Sequence, residues 1–334
     1  MNIIIVGLGS IGKHYLNVIP KIIKKSDIYV IDKIKLKKNK KFKQISFSEI
    51  LKKKIIIDYA IICTPSGLHF KHADFFLKIK SNVLIEKPFA LKLDDAIKLV
   101  KIAKKNKVKC WTSLQNRYNL ATKKLKKELK KQTIGKISLV DCVLFWKRDK
   151  KYYKNDWRGT YSHDGGVLTN QAIHLLDMLI YLFGPIDYFD AIASFNKNKL
   201  EAEDLILINF KHANGILSSL KATTRADRDY RTAIDVLGSK GRYIVKGIAL
   251  NSFNKFTNNY ISEDKKNSEK FTDGKGLGHL KVLKEFLSNK KNSTQSIEIS
   301  KNLYVLKVIH SIYNLILKQK KFNKIKHVNS TLGK

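Results

Sequence analysis

The chain is poor in cysteine and arginine and has no long apolar run, and each shortage excludes a class of protein. Its three cysteines, Cys63, Cys110 and Cys142, lie far apart within apolar stretches, which excludes a disulfide or zinc framework and leaves reduced core thiols. No apolar run approaches the roughly twenty residues that span a bilayer, so no membrane partner is expected. The apolar N-terminus is broken by Lys13 and His14, and the only positive charge before them is the terminus itself, unlike a secretory leader. A cytoplasmic protein is the expectation. The sequence also shows no internal repeat.

Acidic side chains are few, 28 against 66 basic ones, for a formal net charge of +38. Such an excess draws attention to nucleic acid. The basic residues, however, are overwhelmingly lysine, spread through nearly every segment, and no aromatics interleave with a basic cluster as a stacking platform requires. No nucleic-acid partner is expected. Arginine survives at seven positions: 117, 148, 158, 225, 228, 231 and 242. Where lysine serves so freely, a retained arginine points to its planar, bidentate fork, which suits phosphate or carboxylate.

What is present starts at the first residues. Ile3 to Val6 read as a strand buried on both faces, and it runs straight into Gly7-Leu8-Gly9-Ser10-Ile11-Gly12. In a dinucleotide fold Gly7 allows the tight turn, Gly9 lets the backbone approach a pyrophosphate, and Gly12 lets the next helix pack closely. The free N–H groups of that helix, opened by Ser10 and Ile11, face the anion. The next apolar run, Ile28 to Ile31, ends in Asp32, where a carboxylate accepts hydrogen bonds from the adenosine ribose. Asp32 favours NAD over NADP because it repels a 2′-phosphate, although Lys33 and Lys35 lie nearby.

At 334 residues the chain is long enough for two domains. A helix is expected from Ser10 to about Lys24, with Pro20 kinking or ending it early. Strands follow at Asp58–Cys63, Asn82–Ile85 and Lys109–Leu114, with helices between them; Ser66 can cap the one reaching about Lys80. This alternation predicts a parallel, doubly wound sheet over 1–118. Beyond it, strands at Ile137–Trp146, Tyr188–Phe195, Leu205–Phe210, Ile216–Thr223, Tyr230–Leu237 and Arg242–Lys246, joined by hairpin turns, predict a large, mainly antiparallel open sheet. The fold class is therefore α/β: a Rossmann-type domain, then an α+β domain over 119–334. The polar segment Asn251–Lys275 reads as loop, two helices end the fold, and the tail from Lys318 reads as frayed.

Ligands of an open α/β sheet bind at the carboxyl ends of its strands. Three features stand there: Thr64-Pro65, with His69 just beyond; Glu86-Lys87-Pro88; and Asn116-Arg117. A lysine at a strand end can polarise a carbonyl or carry a proton, though among so many lysines a solvated surface charge is the plainer reading of Lys87. A second constellation, Asn170-Gln171-Ala172-Ile173-His174 and then Asp177, places Asn170 and His174 on one helical face with Asp177 near it. His174 suits proton transfer near neutral pH, but a lone helix histidine is more often structural. No third ligand accompanies His174 and Asp177, so no metal is expected.

These residues resemble the Gfo/Idh/MocA-type NAD(P)-dependent oxidoreductases over most of the chain. The likeness rests on G-L-G-S-I-G-K-H, T-P-S-G-L-H, E-K-P, N-R-Y and G-G-V-L-T-N-Q-A-I-H-L-L-D, in order and at family-like spacing. It implies a Rossmann domain followed by a mixed domain whose open sheet often builds an oligomer interface, hence a homodimer or homotetramer. It implies that Lys87 is the catalytic-site lysine and His174 the acid/base. Many members carry Asp where this chain has Asn170, which reads instead as a substrate hydrogen-bonder beside Gln171, and Asp164 stands where a first Gly is frequent. Within the family, Q-N-R-Y-N, Y-Y-x-x-x-W-R-G-T and N-Q-A-I-H look most like nucleotide-sugar 3-dehydrogenases, which oxidise UDP-N-acetylglucosaminuronate at C3 for surface-polysaccharide synthesis. Arg158, in an aromatic loop, then suits a carboxylate or diphosphate, or else is a structural partner of Asp156 or Asp164. An inositol or free-sugar dehydrogenase and a non-catalytic cofactor-binding regulator remain the alternatives.

Overall fold

In the computed structural model the described residues are 1–37, 40–154, 157–195, 200–257, 260–269, 277–288 and 290–318. The apolar run at the N-terminus becomes the centre of the first sheet. Strands β1 (Asn2–Val6), β2 (Asp27–Ile31), β3 (Lys43–Gln44), β4 (Tyr59–Ile62), β5 (Asn82–Ile85) and β6 (Cys110–Thr112) pair in the order β3-β2-β1-β4-β5-β6, all parallel. Because successive side chains point to opposite faces, Ile3, Ile5, Val30, Ile61 and Leu84 fill one core and Ile4, Val6, Ile62, Val83 and Ile85 another. Helices α1 (Ser10–Ile22), α2 (Phe47–Lys52), α3 (His69–Lys78) and α4 (Leu93–Asn106) connect the strands. Helix α1 runs two residues past Pro20. Ser46 and Glu49 form a capping box on α2, and Asp94 and Asp95 complement the dipole at the start of α4. Ser66 opens a 3₁₀ turn, Ser66–Leu68, and caps nothing; α3 starts only at His69.

After α5 (Leu120–Lys130) the chain forms β7 (Ile137–Phe145), α6 (Ile173–Phe183), β8 (Ile186–Ser194), β9 (Leu205–His212), β10 (Leu217–Thr223), β11 (Arg231–Gly238), β12 (Gly241–Lys246), β13 (Ser252–Thr257) and β14 (Tyr260–Glu263). These strands make a second sheet in the order β14-β13-β12-β11-β7-β10-β9-β8, antiparallel except where β7 lies parallel to β10. The expected loop at 251–275 is thus wrong over β13 and β14. Its alternation is muted by Asn and Lys, but pairing to β12 satisfies the backbone all the same. The inner face, with Val140, Leu144, Ile206, Phe210 and Val236, packs with α6 and α8 (Leu303–Lys318) in one continuous core that reaches the first sheet. Helix α7 (Gly278–Phe286) returns to the first domain, where Val282, Leu283 and Phe286 join the core of β1, α1 and Trp111. The division expected at 118 therefore misses α7, whose apolar stripe gives no hint of which sheet it covers. The expected frayed tail lies, apart from Lys318 itself, outside the described residues.

Candidate active site

A cavity of about 840 Å³ opens at the carboxyl ends of β1, β2, β4 and β5. Its first third is built by the glycine turn. Gly7 has φ +93°, a conformation that only glycine adopts without strain, and a Cβ there would lie 2.9 Å from the Cys63 carbonyl oxygen. A Cβ on Gly12 would lie 2.0 Å from the Gly7 carbonyl oxygen, so its absence is what lets α1 seat against β1. Gly9 faces open space, and no side chain caps α1. Gly9, Ser10 and Ile11 line the cavity, leaving first-turn amides of α1 for an anion. The cradle fits a dinucleotide pyrophosphate.

Asp32 also lines the cavity, and its carboxylate is fixed by two amides, Leu8 N–H at 2.7 Å and Ile34 N–H at 3.0 Å. Each oxygen keeps acceptor capacity for a ribose hydroxyl. Beside it Phe47 and His72 stack at 5.3 Å and 22°, both in the cavity wall. Burial pushes His72 down to about 4, so its ring is neutral at physiological pH and presents a flat, uncharged face. The sequence reading missed this pair. Phe47 carried no local signal at all, and His72 was one polar residue on the helix expected to reach about Lys80.

Thr64, Pro65, His69 and Glu86 line the middle of the cavity. The His69 ring nitrogens lie 2.7 Å from the Pro88 carbonyl oxygen and 2.8 Å from that of Thr64, so this buried ring ties the two strand-end loops together. Glu86 accepts a hydrogen bond from Tyr15 Oη at 2.7 Å. The expected cofactor roles of Asn116 and Arg117 are not supported by their placement: Gln115 lines the cavity, whereas the other two are buried away from it. Arg117 pairs with Asp177 through Nε (3.0 Å) and Nη2, which also draws Asp177 away from the proton-transfer group expected for it. The strand-end position was right, but the fork points back into the protein.

At the far end Lys87 Nζ donates to the Asn170 carbonyl oxygen at 2.5 Å, with Asn170 Oδ1 at 3.4 Å. Asn170 sits in a π turn, Leu168–Ala172, that leads into α6, an irregularity frequent at functional sites. Its amide donates to Asp164, whose other oxygen accepts Gly159 N–H at 3.0 Å. Lys87, Asn170, Asp164 and Arg158 share the cavity wall. The Arg158 guanidinium lies 3.9 Å over the Tyr152 ring and 4.4 Å over Trp157. Among the described residues no carboxylate lies within salt-bridge distance of it; Asp156 is outside them.

Gln171 and His174 stand behind this wall and are not part of it. Gln171 is buried and donates to Tyr152 Oη at 3.1 Å. Burial holds His174 well below its ordinary pKa, and the charges of Lys87 and of His279 from α7 add to the effect. Burial also lowers Lys87, opposed by the charges of Glu86 and Asp164, and it raises Asp164. The site thus offers an amine biased toward its free form, a neutral imidazole behind it, and an arginine with no salt bridge among the described residues. Among the described residues no group of three or more His, Cys, Asp or Glu could hold a metal, and no helix is long and apolar enough to cross a membrane.

Two family models match the chain. Residues 1–114 fit the one described as "Oxidoreductase family, NAD-binding Rossmann fold", and residues 122–244 fit "GFO/IDH/MocA C-terminal domain". Among curated proteins, myo-inositol 2-dehydrogenase of Thermotoga maritima is 27% identical over 263 residues, covering 74% of this chain and 76% of that protein. Among solved structures, the WlbA dehydrogenases of Bordetella pertussis and Chromobacterium violaceum, each in complex with NADH and UDP-GlcNAcA, superpose with a TM-score of 0.78. They are 24% and 25% identical, and the match covers 94% of this chain and 95% and 93% of theirs.

Proposed function

The chain belongs to the GFO/IDH/MocA family of NAD-binding oxidoreductases, and from that premise we propose that it oxidises C3 of a UDP-linked N-acetyl-hexosaminuronate. The observation that carries this reading is Arg158, a guanidinium with no salt-bridge partner among the described residues, on an aromatic platform in the same cavity wall as Lys87. An anionic substrate gives that charge its partner; a free polyol does not. The WlbA structures, bound to a UDP-sugar uronate, support the same choice. The relative from T. maritima favours an inositol as the second reading.

NAD, when bound, accepts a hydride from the carbon that bears the hydroxyl. The chain's own residues handle the proton. The Lys87 amine, held by the Asn170 carbonyl, meets the hydroxyl and takes its proton, while the neutral His174 stays behind it. The proton acceptor is thereby Lys87, where the resemblance implied His174 helped by Lys87. Asn170 and Asp164 orient the amine and the sugar.

The test is reduction of NAD followed by absorbance, with UDP-N-acetylglucosaminuronate, UDP-N-acetylglucosamine, free sugars and inositols as substrates. Turnover should be confined to the uronate, fall by roughly 10²–10⁴ in Lys87→Ala, and show a raised KM in Arg158→Ala. Activity on inositol alone, or a fully active Lys87→Ala, overturns the reading.

A further inference from the structure

Behind the wall that carries Asn170 lies a carboxyl that none of these steps uses. Glu203 is 1% exposed and immediately precedes Asp204 and β9. Its Oε1 accepts Leu168 N–H at 2.9 Å, and its carbonyl oxygen accepts Val167 N–H at 2.8 Å. Oε1 also accepts Tyr313 Oη–H from α8 at 3.1 Å. That hydroxyl in turn accepts Gly166 N–H at 3.0 Å and Thr169 Oγ1–H at 2.9 Å. Four consecutive residues, Gly166 to Thr169, are thus tied to Glu203 directly or through Tyr313. The next residue is Asn170, whose carbonyl holds Lys87 Nζ. Among the described residues Glu203 Oε2 has no hydrogen-bond partner, and it lies against Gly166, where a Cβ would be 2.0 Å from it.

We propose that Glu203 is a positioning residue: by holding the head of the π turn, it fixes the Asn170 carbonyl on Lys87. The inference rests on the reading of Lys87 as the amine that meets the substrate. Oε1 serves as an acceptor in either protonation state, so the neutral acid can do this work as well as the carboxylate. Burial raises Glu203 to about 7 and the charge of Asp204 adds to the rise, while the bonds from Leu168 N–H and the Tyr313 hydroxyl act the other way; Tyr161 is the further titratable group that meets its charge. A folded-state pKa above the ordinary 4.5 means that the native state is progressively disfavoured as pH rises toward 7, and the cost is complete above it. That cost falls on the fold as a whole, while the bonds to Leu168 and Tyr313 are kept in either state.

The readout is the reactivity of the Lys87 amine itself, measured by brief acetic anhydride labelling and peptide mass spectrometry across pH 5–9. It is run on the full-length wild type, Glu203→Gln, Glu203→Ala and Tyr313→Phe, alongside kcat and KM with UDP-N-acetylglucosaminuronate. Glu203→Ala should label severalfold faster at Lys87 and lose kcat by about ten- to a hundredfold with KM for NAD unchanged. Glu203→Gln keeps the accepting oxygen without the charge. It should restore kcat, bring Lys87 labelling back to the wild-type rate, and melt above the wild type at pH 8. Tyr313→Phe, which keeps the Glu203 carboxyl, should move in the same direction as Glu203→Ala and stands in for it should that variant not fold. Unaltered Lys87 labelling in Glu203→Ala and Tyr313→Phe, or equal losses in Glu203→Ala and Glu203→Gln, overturns the proposal. Lys87→Ala in the same series separates the two ideas: if it keeps turnover, the reading of Lys87 falls while the labelling still reports on Glu203.

Discussion

Arg117 spends its whole fork inside the protein. Beyond Asp177, it donates through Nη1 to the Gln295 and Ser296 carbonyl oxygens (3.1 and 2.9 Å) and through Nη2 to Asn302 Oδ1 (2.7 Å), and it lies 4.5 Å over the Tyr181 ring. Both members of the pair are nearly inaccessible, so Asp177→Ala strands a buried cation and should cost about 3–5 kcal/mol in urea denaturation. Asp164 acts on the amine instead. Its charge raises the Lys87 pKa, so Asp164→Asn should lower it and move the acidic limb of kcat/KM toward lower pH, where more of the amine is free. Lys87, Asp32 and the glycines were legible because each sits in a local strand–turn motif. The role of Arg117 was not, because its partners lie 60 to 185 residues away, and nothing local tells an inward fork from one aimed at a ligand. Asp164 was visible only as a departure from a glycine run and as one candidate partner of Arg158.

The junction of β1 and α1 shows how one element serves both fold and ligand, and its glycines separate the two. Gly12→Ala drives a methyl against the Gly7 carbonyl oxygen at 2.0 Å and should lower stability by roughly 1–3 kcal/mol with or without cofactor. A Cβ at Gly9 meets nothing within 4 Å in the protein, so the melting temperature of Gly9→Val without ligand should stay close to the wild type. The shift that saturating NADH gives the wild type should vanish in it, since the side chain enters the space in front of the α1 amides. Thermal melts with and without NADH distinguish the two. The alternating strands and helices of the first sheet were readable because buried parallel strands are nearly continuous runs of Ile and Val. The π turn at Leu168–Ala172 was not: one extra residue in a turn leaves the apolar stripe of Gly165–Phe183 almost unchanged while re-aiming Asn170 and His174.

Among the described residues the helices cover one face of the second sheet, and the other buries only the small cluster of Val143, Ala233 and Ile244. The inner side chains are packed under α6 and α8, but along the same strands Leu139, Ile192, Leu207, Leu217 and Leu237 remain 40–53% exposed, and Tyr188 reaches 68%. At the centre of that face Asp141, Lys221, Asp235 and Arg242 form ion pairs, flanked on both sides by these apolar residues. A mixed face of this kind, apolar with satisfied charges, is what a self-complementary interface requires. A net charge of +38 opposes self-association at long range, so only a face with its own apolar area and internally paired charges can overcome the repulsion. The expected outcome is a homodimer or homotetramer closed through this sheet. Light scattering coupled to gel filtration should give a multiple of the 38.4 kDa chain at 0.15 M salt. Leu207→Lys should shift it toward the monomer while leaving NADH binding intact, because Leu207 points away from the cavity. Raising the salt should strengthen the wild-type assembly by screening the repulsion, and a monomer at every salt concentration would assign the exposed face to another partner.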